Sequence, residues 1–342
     1  MKMFRNDYSE ICHDVVYKAL LETKDEQNVG YGLDKHSLNA SRMIQDLFKT
    51  NGDVHFLVGG TQTNMTMISY ILKDYEAVIG VSSAHINVHE TGSIEGAGHK
   101  IITVKGENGK LYPSDVLEVL KNHTDEHMVK PKLVYISNST EVGTVYKKEE
   151  LVNLYRVCKE NNLYLFIDGA RLGVALTSRE NDLAYSDISK YSDAFYIGGT
   201  KNGLMFGEAL VIVNKDLKKD FRYEIKNKGA MLAKGFITGI QFEAIMKDGL
   251  YFEIAKNTNN VAYLLSELLA KLNLKLDKVE TNQIFVRADQ DLASFMISTF
   301  GCEKWSESDS TVTVRFVTSF KTTKEDVKNA YELIKEYLDK RS

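Results

Sequence analysis

The chain has 342 residues, enough for a large domain of about 240 residues and a smaller second one. Apolar residues make up 43% and charged residues 26%, an ordinary globular composition with material for a core. The formal net charge of −4, from 43 basic and 47 acidic side chains, gives no electrostatic reason to expect nucleic acid or an acidic membrane as partner. No window approaches about 18 consecutive apolar residues, and the first ten residues carry no signal-like apolar run. A soluble, cytoplasmic protein is therefore expected. Cys12, Cys158 and Cys302 are scattered and odd in number, which supports neither a disulfide framework nor a metal site.

Helical periodicity runs over 8–23 and 37–49, separated by a glycine-bearing stretch at 27–34. Short apolar, β-branched runs then alternate with helical patterns. Strands are predicted at 54–58, 77–81, 100–104, 133–137, 163–167, 194–197 and 210–213, with helices at 64–72, 114–122, 148–161 and 182–190. Strands such as 133–137 and 163–167 are nearly continuous in apolar residues, as expected where both faces are covered. The alternation predicts an α/β fold: a mostly parallel seven-stranded sheet with helices on both faces. From about residue 215 the pattern changes. Helices at 237–246 and 251–272, strands at 283–286 and 311–317, and a helix at 323–338 predict a smaller C-terminal α+β domain. The expected division is 1–248, including an N-terminal arm at 1–50, and 249–342.

Four constellations carry chemistry. The predicted strand 163–167 delivers Asp168 at its C-terminal end, followed by Gly169, Ala170 and Arg171. Ligands of open α/β sheets bind outside those strand ends, although an aspartate there also serves as a helix cap. The strand at 194–197 ends in Gly198, Gly199 and Thr200, then Lys201, Asn202 and Gly203. Pyridoxal-phosphate (PLP) chemistry needs a partly desolvated lysine amine of this kind, with N–H and hydroxyl groups nearby for a phosphate; a solvated turn lysine is the plain alternative. Gly59, Gly60 and Thr61 lie between a strand and a helix start, where backbone N–H groups can meet an anion. His85 directly follows the strand at 77–81 and could stack on a planar ring and exchange protons.

In chain order these parts are a glycine turn, a histidine, Asp168-Gly169-Ala170-Arg171, and Thr200-Lys201, the lysine 33 positions after the aspartate. That order resembles the aspartate aminotransferase-like PLP fold, and more closely the threonine aldolase and β-eliminating lyase family, from Asn6-Asp7 through Arg315. The resemblance implies that Lys201 holds PLP as a Schiff base and Asp168 keeps its ring nitrogen protonated, with the ring acting as an electron sink. It further implies that His85 stacks over the ring and that Gly60, Thr61 and Thr200, beside Arg171, surround the cofactor. Arg171 and Arg315 correspond to the arginines that hold the substrate carboxylate. Asn6 takes the place of a serine that helps in that task, and His127 matches a second active-site histidine. His127, His85 or a water would accept the β-hydroxyl proton. Tyr31, with Lys228 or Lys234, would reach the neighbouring subunit's site in a homodimer or homotetramer. The implied reaction is cleavage of L-threonine or L-allo-threonine to glycine and acetaldehyde. β-Elimination to ammonia and a 2-oxo acid is the rival, with transamination or a non-catalytic PLP-fold protein further off.

Overall fold

The structure, a computed structural model, describes residues 2–341. The main sheet contains β1 (Asp53–Leu57), β2 (Glu76–Val81), β3 (Lys100–Val104), β4 (Lys130–Ser137), β5 (Tyr164–Asp168), β6 (Ala194–Gly198) and β7 (Glu208–Ile212). Their order is β1-β7-β6-β5-β4-β2-β3. Among the described residues, β7 alone runs against the others, pairing antiparallel with both β1 and β6. The remaining pairings are parallel. Every residue of β2, β6 and β7 is buried, which accounts for apolar runs without alternation. Crossover helices at Gly60–Ile71, Pro113–Asn122 and Lys148–Glu160 return the chain between parallel strands.

The second sheet is small and antiparallel: β8 (Lys275–Leu276), β9 (Gln283–Ala288), β10 (Glu303–Ser308) and β11 (Thr311–Val317), in the order β10-β11-β9-β8. Helices Gln290–Phe300 and Lys324–Asp339 pack with it around a second apolar core. The long helix Leu250–Ala270 belongs to both cores, with Ile254 in the first and Val261, Leu265 and Leu269 in the second. Phe4 also sits in the second core. Its N–H donates to the Phe300 carbonyl and its carbonyl accepts from the Val317 N–H, each at 2.8 Å. The start of the chain is thus tied to the small sheet, while helices Asp14–Glu22 and Lys35–Phe48 pack on helix Phe236–Met246 beside the large one.

Candidate active site

The C-terminal ends of β1, β4, β5 and β6, and the start of the reversed β7, open on one cleft of about 340 Å³. Two glycines let those strand ends close on one another. A Cβ on Gly169 would lie 1.8 Å from the Tyr196 carbonyl oxygen, and one on Gly198 only 2.2 Å from that of Ala170. This backbone-on-backbone contact brings Asp168 and Lys201 into the same cleft, although they sit on different strand ends.

Asp168 is buried and receives four hydrogen bonds. Oδ2 accepts from Tyr135 Oη at 2.5 Å and Asn64 Nδ2 at 2.9 Å. Oδ1 accepts from Tyr196 Oη at 2.5 Å and the Ala170 N–H at 3.0 Å. Burial would raise this carboxyl, but the charge of His85 and the two tyrosine hydroxyls outweigh it and hold Asp168 below its ordinary range. Lys201 shows the opposite balance. Burial, then the charge of Arg171, pushes its amine down, and the amine makes no hydrogen bond or ion pair. A downward push of this kind favours the deprotonated, nucleophilic form of the amine, whose Nζ lies 5.8 Å from the centre of the Tyr8 ring. Beside it stands Glu208, which accepts the Gly199 N–H at 2.9 Å and whose carboxyl burial pushes up. Sequence reasoning missed Glu208, because an acid at the start of a strand reads as a turn residue until the strand is known to be reversed.

His85 is held through Nδ1, 2.8 Å from Glu90 Oε1. Glu90 also accepts from Asn64 Nδ2 at 2.7 Å and Ser93 Oγ at 2.7 Å. With Nδ1 assigned as the donor to that carboxylate, Nε2 is the nitrogen free to work in the cleft. One helical turn on, His89 lines the same cleft, its ring 5.5 Å from that of His85 and 6.4 Å from Trp305 of β10. Burial, then the charges of His85 and Arg315, pushes the His89 imidazole down. His127 was expected as the second histidine, and the structure does not bring it there. It is exposed, three residues ahead of β4, whereas the cleft lies beyond the other end of that strand, roughly 25 Å of chain away. Among the described residues the second histidine lining the cleft is His89, whose place in a predicted loop carried no periodic signal.

Arg171 is partly buried and forms a two-pronged pair with Asp7, Nε–Oδ2 at 2.7 Å and Nη2–Oδ1 at 3.0 Å, leaving Nη1 outside that pair. Asn6, expected on the substrate, is turned away: its Oδ1 accepts from the Tyr8 N–H and Ser9 Oγ of its own loop. The neighbouring Asp7 is the residue that reaches the site. Arg315 donates to Gln283 Oε1 at 3.1 Å and to Glu303, stacks 4.8 Å from the Trp305 ring centre, and keeps a buried Nε without a partner. It is not in the cleft wall, but its charge acts on His89. Tyr31, Lys228 and Lys234 lie outside this chain's cleft. Tyr31 is 45% exposed at φ 63°, and Lys228 pairs with Glu224.

The donor set suits PLP. It offers an amine pushed down by burial at Lys201, an acid held below its ordinary range at Asp168, and the N-terminus of helix Gly60–Ile71, whose cap residue Gly59 has no side chain to compete with a phosphate. Thr61 lines the cleft there, and Thr200 Oγ1 accepts from the Gly207 N–H at 3.0 Å.

A mostly parallel sheet carrying a lysine and an aspartate on adjacent strand ends fits a PLP-dependent enzyme, and the chain belongs to the beta-eliminating lyase family, which it matches over residues 6–291. It is 32% identical to a low specificity L-threonine aldolase from Pseudomonas aeruginosa, over 83% of each chain. It is 26% identical to that of Escherichia coli K12, over 81% of this chain and 83% of the other. Among solved structures, the Leishmania major threonine aldolase superposes with a TM-score of 0.96 at 42% identity, covering 98% of this chain and 99% of the other. An aspartate aminotransferase from Thermus thermophilus shares the fold at a TM-score of 0.69 and 14% identity, covering 97% and 90%. Among the described residues no helix is long and apolar enough to cross a membrane.

Proposed function

We propose that the chain cleaves the Cα–Cβ bond of L-threonine or L-allo-threonine, giving glycine and acetaldehyde. The observation that carries this reading is the Lys201 amine, pushed down by burial, sharing one cleft with Asp168, His85, His89 and the Arg171 guanidinium. Bound PLP supplies an electron sink for the pair released at Cα. Lys201 would be the amine that holds the cofactor, Asp168 would hold a proton on its ring nitrogen, and Gly60, Thr61 and Thr200 would hold its phosphate. Arg171, through Nη1, and Arg315 take the carboxylate, while Asp7 fixes the plane of Arg171. The neutral His89 imidazole, or Nε2 of His85 braced by Glu90, accepts the β-hydroxyl proton as the carbonyl of the aldehyde forms.

Product analysis tests the reaction. The enzyme is incubated with L-threonine, L-allo-threonine and L-serine, and aldehyde, glycine, ammonia and 2-oxo acid are each assayed. Acetaldehyde with equimolar glycine is expected. Ammonia and a 2-oxo acid in their place would move the assignment to β-elimination. The same reading includes a cytoplasmic homo-oligomer, dimer or tetramer, that shares sites between subunits through Tyr31 and Lys228 or Lys234, and a working division of the chain near residue 248. Its support is the exposed apolar surface of the N-terminal arm.

A further inference from the structure

We propose that Tyr135 and Tyr196 are positioning residues that set the proton affinity of Asp168, and through it the protonation of the cofactor's ring nitrogen; this rests on the PLP reading above.

Three aromatic rings lie side by side beneath Asp168 on three neighbouring strands. Phe166 of β5 is in the middle, with Tyr135 of β4 at 6.1 Å and Tyr196 of β6 at 6.2 Å between ring centres. All three are buried, so packing alone would accept phenylalanine at each position. The hydroxyls are what packing leaves unexplained. One goes to each oxygen of Asp168, and with Asn64 and the Ala170 N–H they give each oxygen two donors. Tyr196 Oη also lies 3.0 Å from where a Gly60 Cβ would stand, so the glycine turn leaves room for it.

Hydrogen bonds donated to a carboxylate favour its ionised form and lower its appetite for a proton. A ring nitrogen facing Asp168 competes for the same charge. With both hydroxyls in place, the acid holds the ring proton less tightly than an unassisted buried aspartate would. Each hydroxyl removed should raise the carboxylate's proton affinity about tenfold.

The test uses holoenzyme reconstituted with ring-¹⁵N PLP and reads the ring nitrogen by solid-state NMR in the native protein, Tyr135→Phe, Tyr196→Phe and the double variant. The double variant is expected to move furthest from the pyridinium position toward that of neutral nitrogen, each single variant part of the way. KM for threonine should stay within about twofold, because neither tyrosine reaches the carboxylate arginines. An unmoved resonance with the cofactor bound, or a shift toward the pyridinium position, overturns the proposal. If the double variant does not fold, the two single variants decide it by the same criterion. Native protein that fails to bind PLP at all would instead overturn the underlying PLP reading.

Discussion

Burial and the charge of Arg171 push the Lys201 amine down against the pull of Asp7, Asp168 and Glu208, and a variant separates its role from mere residence in the cleft. Lys201→Ala should abolish the borohydride-reducible link to the cofactor and lower turnover by several orders of magnitude, roughly the loss of a covalent catalyst. A reducible link surviving at another lysine would move the assignment. Arg315 presents a different case, because Glu303, Gln283 and Trp305 already hold its guanidinium outside the cleft wall. Arg315→Ala should raise KM for threonine with PLP binding nearly unchanged. A lost charge-assisted pair of about 1.5–3 kcal/mol corresponds to roughly 10- to 150-fold. Titrating KM and the cofactor's absorbance in the same preparations checks both halves, and loss of PLP with unchanged KM would assign the arginine to the fold. At this scale the sequence was most legible where chemistry coincides with a strand end, as at Asp168 and Lys201. It was least legible where a partner comes from far along the chain. Glu90 behind His85, and Tyr135 and Tyr196 behind Asp168, give no local sign of what they touch, and the pairing of Asp7 with Arg171 spans 164 positions.

The strands of the large sheet announce themselves because burial on both faces leaves nothing polar to interrupt them. The small sheet hides for the opposite reason: in β10 none of the six residues is fully buried, so Glu303–Ser308 reads as a polar loop. Helix Gln290–Phe300 has an Asp289 cap and a Gly301 stop at φ 65°, signals that were present in the sequence but fell between two strands. Where β5 and β6 touch, Gly169→Ala should force the strand ends apart, since its new methyl would meet the Tyr196 carbonyl. A cost of at least about 1–3 kcal/mol in thermal stability is expected, with reduced PLP content. An unchanged melting temperature would show that the contact is slack. The N-terminal arm carries a pH-dependent clamp: His36, on helix Lys35–Phe48, lies 2.7 Å from Glu26 and 2.5 Å from Glu243. Burial alone would lower the imidazole, but the two carboxylates prevail and raise it above 6.5. Its stabilising contribution is therefore complete below that value and is lost as pH rises through the raised one. Melting curves of native protein and His36→Gln should converge at alkaline pH and separate near pH 6; a constant gap would argue against the clamp.

Over the whole molecule, apolar side chains are unevenly exposed. Nine of the fifteen large ones exposed among the described residues precede residue 40, Ile11, Leu21, Val29 and Leu33 among them. A patch of this sort on one stretch of chain fits a second copy of the same protein. If the proposed homo-oligomer forms through this stretch, Val29→Asp combined with Leu33→Asp should give monomers in sedimentation velocity and reduce turnover. A native protein that sediments as a fully active monomer would refute this. The large-scale plan, a sheet followed by a smaller α+β unit, was readable from the change of periodicity near residue 215, but the sharing of one helix between two cores was not. That sharing bears on how the chain denatures. Helix Leu250–Ala270 has one half seated in each core, so neither core can melt without stripping apolar contacts from a segment the other still holds rigid. Two nominal domains are thereby bound into one cooperative unit, and heat should take them apart in a single calorimetric transition rather than in sequence.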